Sequence, residues 1–312
     1  MPSPSQSPGP SIICILNDAA GPDAKKKPSD QVAEMFAARS VGAHVWSARS
    51  GAELSDLARK AVAREPDIVV AGGGDGTINC VSSALVGTDI ALRVLPMGTL
   101  NHFAKDLAIP LSLEDAVETI VQGKIARVDA GEVNGRLFLN NSSLGLYPRL
   151  VRERERLQGG GSSKTIAFLR ATGWVFFRYS HIHVRLDAKG AGTRSRATPF
   201  VFIGNNQYRI EGWRIGTRER MDAGELWLYI APFKGPGELA RMALSAVLGR
   251  AGANRVESFA ATECWIETRR GTIDVATDGE VSRMVSPLCY RIRAGALKVI
   301  TARREGSCDQ EH

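Results

Sequence analysis

No apolar run in this chain approaches the length needed to cross a bilayer as a helix, which argues against a helical membrane protein. Cysteine is scarce and scattered: Cys14, Cys80, Cys264, Cys289 and Cys308 are odd in number, with no close pair. That pattern argues against a disulfide framework or a zinc site, and implies reduced thiols and a cytoplasmic location. Residues 1–10 are rich in Ser and Pro but lack the basic flank and apolar stretch of a signal peptide, so they read as a disordered leader. The Gly-Lys-Ser/Thr ending of a P-loop is missing, as are the separated glycines of a dinucleotide fingerprint. What remains is 312 residues, 44% hydrophobic and 23% charged, a globular chain long enough for two cores.

The most informative segment is Gly72-Gly73-Gly74-Asp75-Gly76-Thr77. It follows the apolar run Asp67 to Ala71 and leads into Ile78 to Leu85, which has helical spacing. A buried strand, a glycine turn and a helix N-terminus in that order make an anion site. Glycine lets the main chain turn tightly and approach a ligand, and unpaired N–H groups then face negative charge. Asp75 would repel a phosphate unless a cation lies between them, which points to Mg²⁺. The simplest ligand is a nucleotide phosphate chain with its metal. The plain alternative is a tight turn without a ligand, against which stands the entropy cost of ordering three consecutive glycines.

A second segment sharpens the first. Leu92 to Leu95 reads as another buried strand and is followed by Pro96-Met97-Gly98-Thr99-Leu100-Asn101-His102-Phe103-Ala104. Together the two loops resemble the GGGDGTxN and PxGTxNDFA motifs of the diacylglycerol kinase catalytic family, which includes bacterial lipid kinases and sphingosine kinases. The likeness extends in pieces along the chain. Ile12 to Leu16 with Asn17-Asp18-Ala19-Ala20-Gly21 is similar to the family's first strand and NPxSG turn. Thr277-Asp278-Gly279-Glu280 is similar to its DGE motif.

The coarse organisation agrees with that likeness. Up to residue 125, strands and helices alternate, which predicts a doubly wound parallel sheet with ligands at the carboxyl ends of its strands. From 126 the rhythm changes. Ala126 to Val133, Asn134-Gly135 and Arg136 to Asn141 predict a hairpin with a type I′ turn. Strand-like runs dominate thereafter, with helical stretches only near Thr165 to Tyr179 and Gly237 to Leu248. The expected fold is α/β plus β: a nucleotide domain over 11–125, similar to NAD kinase and phosphofructokinase, and a mainly antiparallel β-sandwich over 126–296. Residues 297–312 form a C-terminal segment able to pair back onto either domain.

The resemblance implies ATP and Mg²⁺ as cofactors and assigns roles. Gly72, Gly73, Gly74, Gly76, Thr77 and Ile78 cradle phosphate, and Asp75 holds Mg²⁺ through water. Thr99 reaches the same phosphates, its other reading being an N-cap for the next helix. Asn17, Asp18, Ala19, Ala20 and Gly21 match the turn that touches the nucleotide, although Asp18 stands where the family has proline and should loosen it. Ser47 aligns with a nucleotide-side threonine. Glu280 is the general base toward a lipid hydroxyl, and Asp278 orients the metal or its waters; a plain Asp-Gly turn is the other reading. The family places the reaction in the cleft between its domains, with the lipid gripped by the second.

Two departures stand out. His102 replaces the aspartate of PxGTxNDFA. In Met221-Asp222-Ala223-Gly224-Glu225-Leu226, Ala223 replaces the second aspartate of the DDGxL segment, where relatives bind a structural metal. Asp222 is the remaining candidate ligand, with Glu225 as a substitute.

The chain carries a formal net charge of +7. Basic residues gather at Arg149, Arg152, Arg154, Arg156, Lys164, Arg170 and Arg178, interleaved with Phe168, Trp174, Phe176 and Phe177. A core helix with a solvated basic face explains this as well as transient docking on an anionic membrane surface does. No nucleic-acid reading motif accompanies the patch. The expected activity is an ATP- and Mg²⁺-dependent lipid kinase acting on diacylglycerol or a similar lipid. The protein would be cytoplasmic and peripherally membrane-associating, and a homodimer is compatible with the chain. The alternatives are an NAD kinase-like enzyme, whose NE-type motif is not evident, or a nucleotide-binding regulator with impaired catalysis.

Overall fold

The computed structural model describes residues 10–18, 27–146, 148, 182–189, 192–211, 214–218, 220–230, 257–269 and 271–301. Most of the leader, Ala19, Ala20 and Gly21, the basic stretch 149–178, the helical stretch 237–248 and residues 302–312 lie outside the described residues. The chain divides into one unit of residues 1–128 with 296–312, and a second of residues 129–295.

The first unit alternates strand and helix: β1 (Ile12–Asn17), α1 (Pro28–Ala38), β2 (Ala43–Ala48), α2 (Gly51–Val62), β3 (Ile68–Gly73), α3 (Asp75–Leu85), β4 (Ala91–Pro96), α4 (His102–Asp106) and α5 (Leu113–Gln122). β5 (Lys124–Val133) then carries the chain into the second unit. Every residue of β3 and β4 is buried, as expected of parallel strands covered on both faces. β1, β2, β3 and β4 pair in parallel in the order β2-β1-β3-β4. α2 buries Leu54, Ala58 and Ala61, the i, i+4, i+7 stripe of an amphipathic helix. Ser50 caps it by accepting the N–H of Glu53, and Ser112 caps α5 through the N–H of Asp115.

Register decides what meets at the carboxyl edge of this sheet. Ser47 pairs with Leu16, Leu16 with Gly72, and Gly72 with Leu95; one step further, Asn17 pairs with Ala48 and Gly73 with Pro96. Residues scattered from 17 to 99 in sequence are thereby delivered to one edge. At the opposite edge Asp67 and Ser11 lock together. The Asp67 carboxylate accepts the Ser11 N–H at 2.8 Å and hydroxyl at 3.0 Å, while Ser11 Oγ accepts the Asp67 N–H.

The second unit comprises the end of β5 with β6 (Arg136–Phe138), β7 (Asn141–Gly145), β8 (Ile182–Ala188), β9 (Gly192–Thr198), β10 (Phe200–Asn205), β11 (Tyr208–Glu211), β12 (Arg214–Arg218), β13 (Leu226–Ile230), β14 (Glu257–Ala261), β15 (Glu263–Thr268), β16 (Thr272–Thr277) and β17 (Glu280–Val285). β18 (Leu288–Thr301) begins in this unit and ends in the first, where Lys298 and Val299 pair in parallel with Ala91 and Leu92 of β4. The predicted hairpin forms between β5 and β6, with Asn134 and Gly135 at φ 46° and 83°. One sheet runs β14-β13-β10-β7-β16-β17, and the start of β18 pairs with β15, which continues to β8 and β9. Leu144, Val201, Leu228 and Val275 from the first face pack with Leu186, Ile266, Leu288 and Tyr290 from the other, so this unit is an antiparallel sandwich. The periodicity did not announce β9 or β17, whose residues are mostly exposed or half-buried and give no apolar alternation, nor the five-residue β14, whose Phe259-Ala260-Ala261 run does not alternate.

The Ser11 donors hold the Asp67 carboxyl below its ordinary value. A depressed folded pKa means its stabilising contribution is complete above the unfolded pKa of about 3.9 and fades as pH falls through the lower folded value. Asp67→Ala is therefore expected to lower Tm at pH 7, with the gap to wild type closing below pH 4. A gap unchanged across that range in thermal melts would show that the carboxylate charge is irrelevant to the lock.

Candidate functional site

In the first unit the site is a contact between two loops. β3 and β4 end side by side, and the main chains that leave them touch. A Cβ placed on Gly98 would lie 2.5 Å from the Cα of Gly74 and 2.9 Å from Oδ1 of Asn101. Met97 donates its N–H to the carbonyl of Gly73 at 2.9 Å, which fastens the second loop to the first. Asn101, buried and left-handed at φ 50°, accepts the Gly98 N–H at 3.0 Å and donates to the Gly98 carbonyl at 2.8 Å. The sequence motif contained this asparagine, yet nothing in the sequence revealed that it closes the loop on itself.

α3 starts at this junction. Its N-cap is Gly74, which offers no side-chain acceptor to the first turn. The opening N–H groups therefore keep their polarity for a ligand, and the helix dipole adds partial positive charge. Asp75 takes one interloop bond, its Oδ1 accepting the Phe103 N–H at 3.3 Å. Its Oδ2 has no partner among the described residues. Thr77 is buried, and its Oγ1 accepts the Asn17 amide at 3.1 Å, so β1 is drawn into the same cluster. Gly73 is required there, since a Cβ would sit 2.5 Å from that Oγ1.

The structure revises several expectations. Ile78 is fully buried and its N–H bonds the Gly74 carbonyl, so it has nothing to offer a phosphate. The turn that Asp18 was expected to loosen continues outside the described residues, but Asp18 itself is held at both ends. Its carboxylate accepts the Ser29 hydroxyl at 2.8 Å and N–H at 3.3 Å, tethering the first turn of α1, and its own N–H bonds the Ala48 carbonyl. Thr99 does not cap α4, because the N-cap is Asn101; Thr99 is exposed beside the loop contact. Ser47 is exposed at the carboxyl end of β2, and His102 is exposed at the start of α4.

In the second unit the Asp278-Gly279 turn, with φ of 48° and 87°, joins β16 to β17. Asp278 turns its carboxylate inward, where it accepts the N–H groups of Leu139 at 2.7 Å, Asn140 at 2.8 Å and Asn141 at 3.0 Å. Burial pushes its pKa up, while these donors and Arg218 pull the other way. Arg218 reaches the same loop, donating to the carbonyls of Leu139 and Asn205 and to Oδ1 of Asn140. Asp278 was expected to orient a metal; its oxygens are committed to the main chain, and it fixes the turn that presents Glu280. Glu280 is exposed, and its Oε2 accepts from Nη2 of Arg136 at 2.7 Å. Sequence reasoning gave Arg136 no role, since a charge after Asn-Gly reads as an ordinary hairpin residue.

Asp222, the candidate ligand left beside Ala223, does not fit a metal site. Asp222 is exposed and pairs with Arg220 at 3.0 Å, while Glu225 accepts the indole N–H of Trp227. Among the described residues no cluster of three or more His, Cys, Asp or Glu could hold a metal. The loop is instead held by buried Asp129, whose carboxylate accepts the N–H of Gly224 at 2.7 Å, the N–H of Gly295 at 2.8 Å and the amide of Asn206 at 3.0 Å.

Known proteins resemble this chain in sequence and in fold. Residues 11–133 match the sequence model of the diacylglycerol kinase catalytic domain. The chain is 32% identical over 255 residues to a Pseudomonas aeruginosa protein named "Probable lipid kinase YegS-like", covering 78% of this chain and 79% of that one. It is 35% identical over 140 residues to a Bacillus subtilis diacylglycerol kinase, a match spanning 44% of this chain and 46% of the relative. Several of the relatives it matches are thus covered over about half their length or less. Among solved structures, a diacylglycerol kinase from Bacillus anthracis superposes with TM-score 0.66 at 18% identity, over 95% of this chain and 98% of that one. An NAD kinase from Archaeoglobus fulgidus superposes with TM-score 0.51 at 12% identity, over 94% of each chain. These two likenesses concern the fold.

The glycine contact yields a direct expectation. Gly98→Ala forces the two loops apart, and overpacking of this kind costs about 1–3 kcal/mol. Chemical denaturation should register that loss, whereas Gly87→Ala, at a turn with nothing near the added Cβ, tests the backbone effect alone. A Gly98→Ala variant as stable as wild type would mean that the loops separate freely.

Proposed function

Because the chain belongs to the diacylglycerol kinase catalytic family, we propose that it transfers the γ-phosphoryl group of ATP to a hydroxyl of diacylglycerol or a similar lipid. The observation that carries this reading is the junction of the two glycine loops, where the uncapped start of α3 lies beside Asp75. Phosphoryl transfer asks for neutralised phosphates, a positioned cation and an oriented hydroxyl. Gly73, Gly74, Gly76 and Thr77 supply main-chain donors along one stretch of the phosphate chain, and Thr99 brings a hydroxyl from the second loop. Asn17 positions Thr77.

Mg²⁺ fits this site as a phosphate-bound ion that keeps its waters, because among the described residues the site offers one free carboxylate oxygen, Oδ2 of Asp75, and no all-protein cage. When bound, it would neutralise charge on the phosphates. Glu280 acts on the acceptor. Arg136 holds its Oε2, which leaves Oε1 to accept the hydroxyl proton as the new O–P bond forms and ADP departs. The weak basicity of a carboxylate is sufficient because loose phosphoryl-transfer transition states demand little early deprotonation. Asp278 serves as a positioning residue through its hold on the turn before Glu280. Peripheral contact with a membrane surface follows from a lipid acceptor, and a cytoplasmic location from the source of ATP. An NAD kinase-like activity has only a distant likeness of fold behind it.

Asp75→Asn should reduce turnover on diacylglycerol micelles by at least about a hundredfold while the fold persists, since typical electrostatic contributions are of that order. Glu280→Gln should lower kcat by about 10² to 10⁴, the usual range for a general base, with ATP affinity by calorimetry unchanged. Single-turnover kinetics with labelled ATP separate the outcomes. A wild-type chain that binds ATP yet phosphorylates no lipid hydroxyl would make it a nucleotide-binding regulator.

A further inference from the structure

A cavity in the first unit lies at the edge of the sheet opposite the glycine loops. It encloses about 960 Å³ and is lined by the amino ends of β3 and β4, the Thr88 to Ile90 approach to β4, Ile125 and the end of β18. Cavities of that size accommodate small organic ligands. Register explains its composition. Ile68, Ala91 and Lys298 share one rung of the parallel sheet, so their side chains emerge on the same face. Arg93, two residues beyond Ala91, faces the same way.

Arg93 is unusual in this company. It is 8% exposed, in the middle of a strand whose every residue is buried. Its Nη1 donates to the Thr119 carbonyl in the last turn of α5 at 3.3 Å, and its Nε is buried with no partner. Among the described residues no carboxylate pairs with it. Burial lowers its pKa to about 10, so it keeps its charge at neutral pH. A buried cation and an orphaned donor are both costly unless something compensates them. The helix C-terminus compensates one edge of the guanidinium. The other edge, Nε with Nη2, has the fork geometry that takes a carboxylate.

We propose that this cavity is a binding site for a monocarboxylate with an apolar tail, its head on Arg93 and its tail along Val62, Ile68, Ile90 and Ile300. The tail assignment follows from the aliphatic lining. The single charge follows from the rim, where Glu65 and Asp67 would repel a doubly charged phosphate. Lys298 does not change that count, because it is already paired with Asp89. The site belongs to the first unit alone and stands independently of the lipid kinase assignment.

Calorimetric titration of the full chain with decanoate, decyl phosphate and decyl maltoside, each below its micelle concentration, tests this. Decanoate should bind, decyl phosphate less tightly, and the neutral maltoside not measurably. Arg93→Met should weaken decanoate by about tenfold or more, as loss of a charged hydrogen-bonded pair does. Because Arg93→Met removes a buried group and could disturb folding, Ile125→Glu provides a second reading. Ile125 is 65% exposed on the rim, so a negative charge there should leave the fold intact and weaken decanoate severalfold. Equal decanoate affinity in wild type and both variants, no binding by wild type, or binding of decyl maltoside or decyl phosphate at least as tight as decanoate would overturn the proposal.

Discussion

Two glycine backbones in contact, Gly74 against Gly98, are the constraint on which the first unit's chemistry depends. A side chain at Gly98 would force the loops apart and separate Asp75 from the Phe103 N–H that it accepts. The contact can exist only because β3 and β4 are adjacent and in register to their last residues, with Gly73 opposite Pro96. That pairing depends in turn on strands apolar enough to be buried on both faces. A sequence of causes therefore runs from Ile68-Val69-Val70-Ala71 and Leu92 to Leu95, through a parallel ladder, to a patch of main-chain donors.

Those causes were legible in the sequence because each link is local. Apolar runs mark buried strands, glycines mark close approach, and the order strand, turn, helix marks a donor-rich N-terminus. The antiparallel second unit was legible for the same reason, from short strands and the Asn134-Gly135 turn. The precise membership of the site was less so. Ile78 sits inside a motif and shares its apparent importance, but the helix turns its side chain into the core and spends its N–H internally. Asp18 registered in the sequence only as a missing proline, while its carboxylate has a task of its own eleven residues away at Ser29.

What the sequence concealed is long-range polar pairing. Asp278 reaches Leu139, Asn140 and Asn141, and Arg218 reaches the same loop from β12. Asn205 ties it to Asp129 by donating to the carbonyls of Asp129 and Leu139. None of these residues has a periodic signature, since hydrogen bonds between distant positions leave no pattern at period 2 or 3.6. The network is nonetheless what makes the Glu280 turn a rigid platform. Buried polar groups that satisfy one another specify a single arrangement more sharply than apolar packing does.

The same logic accounts for the loop around Ala223. The family resemblance implies a structural cation where this chain has lost a carboxylate, and a loop that merely lost its cation would be left with unpaired N–H groups. Here the N–H of Ala223 finds Asn206 and that of Gly224 finds Asp129, so the main chain is satisfied by the protein itself. Arg220 then lies against Asp222, and Asp129 and Glu225 add to the negative field around its guanidinium. A divalent ion entering this loop would have to displace a cation already paired, and would find Asp222, Glu225 and Asp129 already engaged by Arg220, Trp227 and main-chain N–H groups. The substitution at 223 is therefore better understood as a change of closure, from metal to hydrogen bonds, than as damage to the site. It leaves this loop of the second unit braced by Asp129, a residue that no motif singled out.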